Sequence, residues 1–152
     1  MALSIHEQTI TDPSEWDGSL FGSDMELVQL SGGEFVSEQT VASLNGVQIL
    51  RIFVNQPITV RSRTLTLRYA AALFDPSTRG HFAGAPIDAE ELILLPPAFD
   101  FDACAKGTGV RCTVIFVEPP LLCAYYHTLI GASLTPPDSL TISRPERGDI
   151  QW

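Results

Sequence analysis

The side chains that could do chemistry in this chain are few and scattered. His6, His81 and His127 fall in a chain end, a hairpin and a helix-like stretch. No two are close in sequence, and no carboxylate follows one at a ligand-like interval, so no metal and no cofactor are expected. There is no Gly-x-Ser-x-Gly elbow and no cysteine beside a turn that opens a helix, which leaves nucleophilic catalysis without a candidate. Cys104 and Cys112 flank a turn between two strands and could face each other, or could simply be small core residues. Asp100 and Asp102 lie two apart on a strand and share a face, and Glu90 and Glu91 are adjacent. General acid–base work needs such a group shielded from water. The alternation of Phe99 and Phe101 with the two aspartates places the rings inward and the carboxylates outward.

Arg51 is the more interesting charge. It shares parity with Val47, Ile49 and Phe53, so it could point into a barrel and hold a ligand carboxylate with both arms of its guanidinium. The other face of that stretch, Leu50, Ile52 and Val54, is apolar too. An arginine on an outer face or at a subunit contact therefore stays open. Arg68 shares parity with Thr64 and Thr66 and reads as outward, while Arg111 is ambiguous. Phe53, Tyr69, Phe74, Phe99, Phe101 and Phe116 could line a cavity or fill a core. His81 is the histidine best placed for a role, at a pocket mouth, with an exposed turn histidine as the plain alternative. The candidate ligand-binding set is Arg51, Phe53, Tyr69, His81, Phe99 and Phe101.

Something must position these residues, and length and composition bound it. A chain of 152 residues, 45% hydrophobic, fits one domain with a sizeable core. Nine Lys and Arg against 18 Asp and Glu give a formal net charge of −9. A surface that acidic repels phosphate, so this chain alone is not expected to bind nucleic acid or an anionic membrane. No apolar run approaches bilayer length. Met1 to Glu7 lacks the basic and apolar regions of a signal peptide. The third cysteine, Cys123, makes the count odd, and the spacings are not those of a metal site. All three read as reduced, mostly buried thiols of a cytoplasmic protein.

The elements follow from periodicity. Glu91 to Leu95 is a strand buried on both faces. Pro96-Pro97 turns it, and Phe99 to Asp102 is a half-buried strand, which together suggest two packed sheets or a closed barrel. Asp12-Pro13-Ser14-Glu15-Trp16 has the residues of a helix start. Strands are expected at Met25 to Leu30, Glu34 to Leu44, Val47 to Asn55, Ile58 to Val60, Thr64 to Phe74 and Val110 to Val117. Asn45-Gly46 is the strongest hairpin signal, and His81 to Ile87 reads as a second hairpin with Gly84 near its tip. From Pro120 to Gly131 the period becomes helical, with Leu121, Leu122, Tyr125 and Leu129 on one stripe. That stripe packs either on a partner subunit or on its own barrel. Thr135 to Trp152, with its prolines, reads as a linker or loose arm. The expected architecture is mainly β: a short N-terminal helix, about nine short strands in a cupin-like jelly-roll barrel, and a C-terminal helix. Residues 1–133 would form the domain, including the helix 120–131, and 134–152 a tail.

Several phrases in this order carry a resemblance. They are Leu30-Ser31-Gly32-Gly33-Glu34-Phe35, Leu44-Asn45-Gly46, Asn55-Gln56, and the aliphatics Leu92 to Leu95 followed by Pro96-Pro97 and Phe99-Asp100. Over roughly Asp12 to Val117 the chain resembles the N-terminal sensor domain of AraC-type (AraC/XylS) transcription regulators, with Pro97 standing where that family commonly has glycine. The resemblance implies a small-molecule-binding barrel without a metal, then dimerisation helices, then a helix-turn-helix DNA-binding half. The tail holds no pair of amphipathic helices and no basic recognition helix. The expectation is therefore the effector-sensing and dimerisation part of a longer regulator: a homodimer with a small-molecule effector as partner. Leu121, Leu122, Tyr125 and Leu129 would be its dimer contact. The rival is a stand-alone, metal-independent cupin-like isomerase or lyase on a small polar metabolite. It would need an inward histidine or carboxylate with a perturbed pKa. A filled barrel serving as an interaction module is a third reading. A cavity holding His81 and carboxylates in mutual reach would favour the enzyme. A mostly apolar cavity with one or two polar anchors would favour the sensor.

Overall fold

Apolar and polar residues sort onto opposite faces of two antiparallel sheets in the computed structural model of this chain. It describes residues 3–16, 18, 22–64, 67–88, 91–107, 109–131, 133, 135 and 137–143. The strands are β1 (Ser4–Ile10), β2 (Ser23–Gln29), β3 (Ser37–Leu44), β4 (Val47–Val54), β5 (Ile58–Thr64), β6 (Tyr69–Phe74), β7 (Arg79–Phe82), β8 (Ala85–Pro86), β9 (Leu92–Leu95), β10 (Phe101–Lys106), β11 (Val110–Val117) and β12 (Thr141–Ser143), with one helix, α1 (Pro119–Ile130), between β11 and β12. One sheet runs β1-β3-β4-β11-β6-β9-β12 and the other β2-β5-β10-β7-β8. Apart from the hairpins β3-β4 and β7-β8, neighbours in both sheets come from distant parts of the chain, as in the expected jelly roll.

Two turns fall where the sequence places them. Asn45 and Gly46 both have positive φ, 52° and 80°, and join β3 to β4. Ala83 and Gly84, at 48° and 83°, join β7 to β8. Both have the left-handed backbone of a two-residue hairpin loop. The core between the sheets forms two clusters. One centres on Leu50, Ile93, Phe82 and Phe116, and the other on Val54, Trp16, Leu27 and Phe35. Met25 and Ile52 pack against both.

Four departures from the expected elements have simple causes. Ser4 to Ile10, read as a frayed end, is a full strand paired with β3. Only Ile10 in it is buried, so its stability comes from the backbone ladder and leaves little apolar signal. The expected N-terminal helix is a single 3-10 turn at Pro13–Glu15. Asp12 caps it: Oδ1 accepts from Ser14 N at 2.9 Å and from Ser14 Oγ at 2.8 Å. The Ser14 N–H and hydroxyl hold the Asp12 carboxyl below its ordinary pKa. Third, β5, expected to span only Ile58 to Val60, runs on through Arg61-Ser62-Arg63 to Thr64. The arginines face out and Ser62 is buried. Arg61 lies opposite Asp102 of β10, with Nε 3.0 Å from its carboxylate, on an exposed surface. Leu65 and Thr66, used in the expected strand parity, lie outside the described residues, as does Glu90. Fourth, the tail is not wholly loose. Thr141–Ser143 pairs with β9 as a seventh strand, and Leu140 packs against the main cluster.

The helix begins on Pro119-Pro120 and stops at Gly131, whose left-handed backbone (φ 73°) lets its N–H donate to the His127 carbonyl at 2.9 Å. None of its described side chains is buried. Tyr125 is 57% exposed and Leu129 77%.

Candidate functional site

The space between the sheets is left by small residues. β6 turns Ala70 and Ala72 inward, and β10 supplies Ala103 and Ala105, where larger side chains would meet. What remains is a cavity of about 110 Å³. One sheet walls it with Leu50, Ile52, Phe74, Val114 and Phe116, the other with Met25, Val60, Phe82 and Phe101. The Phe82 and Phe101 rings lie 4.4 Å apart at 30°, and Phe74 is 6.0 Å from Phe82. No histidine and no carboxylate is among its lining residues.

Besides Ser23 at the start of β2, three polar side chains border this apolar space. Ser62 points inward between Ile58 and Val60 on one side and the end of β5 on the other, and is 2% exposed. Trp16, the residue that ends the 3-10 turn, is 5% exposed and presents its indole to the interior. Arg68, just before β6, is half-buried at the cavity's edge. Its Nη1 donates to Gln48 Oε1 at 2.9 Å, and its guanidinium carbon sits 5.0 Å from the centroid of the Phe116 ring. Burial draws the Arg68 pKa down, and the Glu118 charge opposes that shift.

Of the residues singled out in the sequence, Phe101 lines the cavity. Phe99 packs against the core cluster and borders a shallow outer groove with Asp24, Arg63 and Asp100. Arg51 and Phe53 are not inside. Leu50, Ile52 and Val54 take the inward positions of β4, facing Val41 of β3 and Val114 and Val110 of β11. Arg51 lies outward between Thr40 and Thr113, and Phe53 lies under Arg111, 4.5 Å from guanidinium carbon to ring centroid. Tyr69 also faces outward, because β6 turns its alanines in. His81 is exposed on the outer face of the five-stranded sheet, opposite Cys104.

Arg68, expected to face outward, is instead the charge that reaches the cavity. Ser62 and Trp16 were missed. A signal for Ser62 was available: it shares parity with Ile58 and Val60, and its neighbours Arg61 and Arg63 carry the charge. For β4, the uncharged triplet Leu50-Ile52-Val54 should outrank a face carrying arginine.

Cys104 and Cys112 stand on opposite sheets, both bordering the cavity, and all three cysteines are free thiols. Burial pushes the Cys112 thiol up from its ordinary 9.0 to about 12. A raised acid pKa favours the folded state below the unfolded value and loses that contribution as pH rises through 9 toward 12. At pH 8 Cys112 stays protonated, so it is expected to be the slowest of the three to react with iodoacetamide in the native protein. Tandem mass spectrometry after timed alkylation, which locates the label within the tryptic peptide that Cys112 and Cys123 share, reads this, and labelling at the rate seen in urea would contradict it. Among the described residues no group of three or more His, Cys, Asp and Glu side chains is placed to hold an ion. No helix among them is long and apolar enough to cross a membrane.

Two sheets in crossed-over order, closed around an apolar cavity, define a jelly-roll barrel of the cupin-like kind. No protein-family model matches the chain, and no curated protein does. Among solved structures it is similar to the AraC-like transcriptional activator CuxR, with a TM-score of 0.56 over 84% of this chain at 17% identity. The chain spans 53% of that protein's length. That likeness is one of fold, and it agrees with the resemblance carried by the Leu30–Phe35 and Leu44–Gly46 phrases.

Proposed function

We propose that this chain is the small-molecule-sensing and dimerisation domain of an AraC-like transcription regulator, with DNA recognition residing in a part of the regulator other than this barrel. The fold it shares with an AraC-like activator carries the reading. Two features support it. The interior cavity is apolar with a few polar anchors, which suits binding without turnover. The helix offers Leu121, Leu122, Tyr125, Tyr126 and Leu129 within about 140° of arc at 100° per residue. Tyr125 and Leu129 are exposed and the other three partly so, and an apolar stripe in contact with water is what a partner subunit would cover. An effector would act by stabilising one arrangement of barrel and helix over another. Such a domain would work in the cytoplasm.

Two measurements test this. Light scattering after size exclusion should give a dimer, and L129E combined with Y125A should give a folded monomer. A wild-type monomer at high concentration would remove the dimer claim. A thermal-shift screen against small metabolites should find a stabilising ligand, by about 2.7 kcal/mol at a hundred times its dissociation constant. No shift from a broad library would count against sensing.

A further inference from the structure

We propose that the cavity takes a small, uncharged, largely apolar molecule carrying one or two hydrogen-bonding groups, of the phenol or aromatic-alcohol class, and that Ser62 Oγ and Trp16 Nε1 bind those groups. This rests on the sensor reading and narrows it to a ligand class.

Size and walls set the body of the ligand. The cavity measures about 110 Å³ and its walls are carbon on almost every side. A dry apolar cavity of roughly 150 Å³ is known to admit benzene. A sugar of similar bulk would bring a ring of hydroxyls, each losing water and needing a partner that aliphatic and phenyl walls do not supply.

Unpaired polar atoms set the head. Among the described residues four buried side-chain polar atoms lack a hydrogen-bond partner, and two of them, Trp16 Nε1 and Ser62 Oγ, belong to residues lining this cavity. An indole N–H only donates, whereas a serine hydroxyl donates and accepts. A ligand hydroxyl complements either: its oxygen can accept from Trp16, and it can donate to or accept from Ser62. Burial without a partner is costly, so a ligand that supplies one gains over its unsubstituted hydrocarbon.

Charge sets the last limit. Arg68 is the one charged residue among those lining the cavity. Its guanidinium already donates to Gln48 and lies over Phe116. An anionic ligand would have to enter apolar walls and compete for that arginine with the partners it has.

Calorimetric titration of the full chain with phenol, toluene and glucose tests the proposal. Phenol should bind about tenfold more tightly than toluene, the margin a satisfied buried hydrogen bond supplies, and glucose should not bind. In the S62A/W16F variant the preference should vanish, read as the ratio of phenol to toluene affinity within that same variant. S62A alone, a near-isosteric change, should remove part of it. Toluene matching phenol in the wild-type protein would overturn the ligand class but leave a ligand-accepting cavity and the sensor reading standing. Glucose binding in place of the aromatics would do the same. Silence from all three probes would also overturn the proposal, and the wider thermal-shift screen would then decide the sensor reading by itself.

Discussion

Gly80→Ala is expected to destabilise the protein by about 4 kcal/mol, combining a strained φ with overpacking. Gly80 sits in β7 with φ +152°, a conformation L side chains rarely adopt. A Cβ placed there overlaps the carbonyl oxygen of Cys104 and comes 2.9 Å from the Ala105 Cα. Both neighbours are backbone of β10, so no rotamer change relieves the clash. β7 would have to lift away from β10, and Phe82, at the end of β7, would lose its stacking on Phe101. The Ile87 N–H, which donates to the Gly80 carbonyl at 2.9 Å, would be disturbed as well. Urea denaturation of the two proteins reads the difference. Gly84→Ala is the control: φ is +83°, but a Cβ there meets open space, so only backbone strain of about 1 kcal/mol is expected. Equal stability of the two variants would mean that the close approach of β7 to β10 is not a constraint.

Leu50→Ala is expected to cost about 4 kcal/mol, in the upper half of the range for buried leucines. Leu50 is 1% exposed on β4, near the middle of the seven-stranded sheet, between Val41 and Val114. It already borders a void. Truncation therefore enlarges one cavity instead of opening a second, and the neighbours, held by ladders on both sides, cannot close on it. At roughly 2–4 °C per kcal/mol for a domain of this size, the melting midpoint should fall by about 10 °C. Differential scanning calorimetry measures this. A drop under 3 °C would show that the sheets can collapse inward, and then the cavity would not be a stable feature of the fold.

Much of the fold was legible because apolar periodicity reports burial. The hairpins at Asn45-Gly46 and Gly84, the strand Leu92–Leu95 and the helix ending at Gly131 all announce themselves by local chemistry. What periodicity missed is backbone pairing without burial. β1 and β12 are edge strands of mostly exposed residues, held by ladders that a hydrophobic pattern does not record. The site was less legible. Strand parity tells which residues share a face, but not which face is in. In β4 both parities are largely apolar, and only pairing with Val41 and Val114 turns Leu50 inward and Arg51 out. Arg68 could not be placed from pattern, because its direction depends on Phe116 and Gln48 from β11 and β4. Trp16 reaches the interior from a short turn that has no period at all.

The seventh strand has a mechanical consequence. α1 leaves β11, and the chain returns to the same sheet at β12, only three places along: β11, β6, β9, β12. The helix is joined directly to β11 at one end, and the chain that follows it is anchored to the same sheet again at Thr141, beyond Gly131. Those four strands include cavity walls, with Val114 and Phe116 on β11 and Ala70 and Ala72 on β6. Spreading of the sheet by anything lodged against these walls changes the span between the two attachments. Within the stretch that looked like slack tether, Thr141–Ser143 is a second attachment to that sheet.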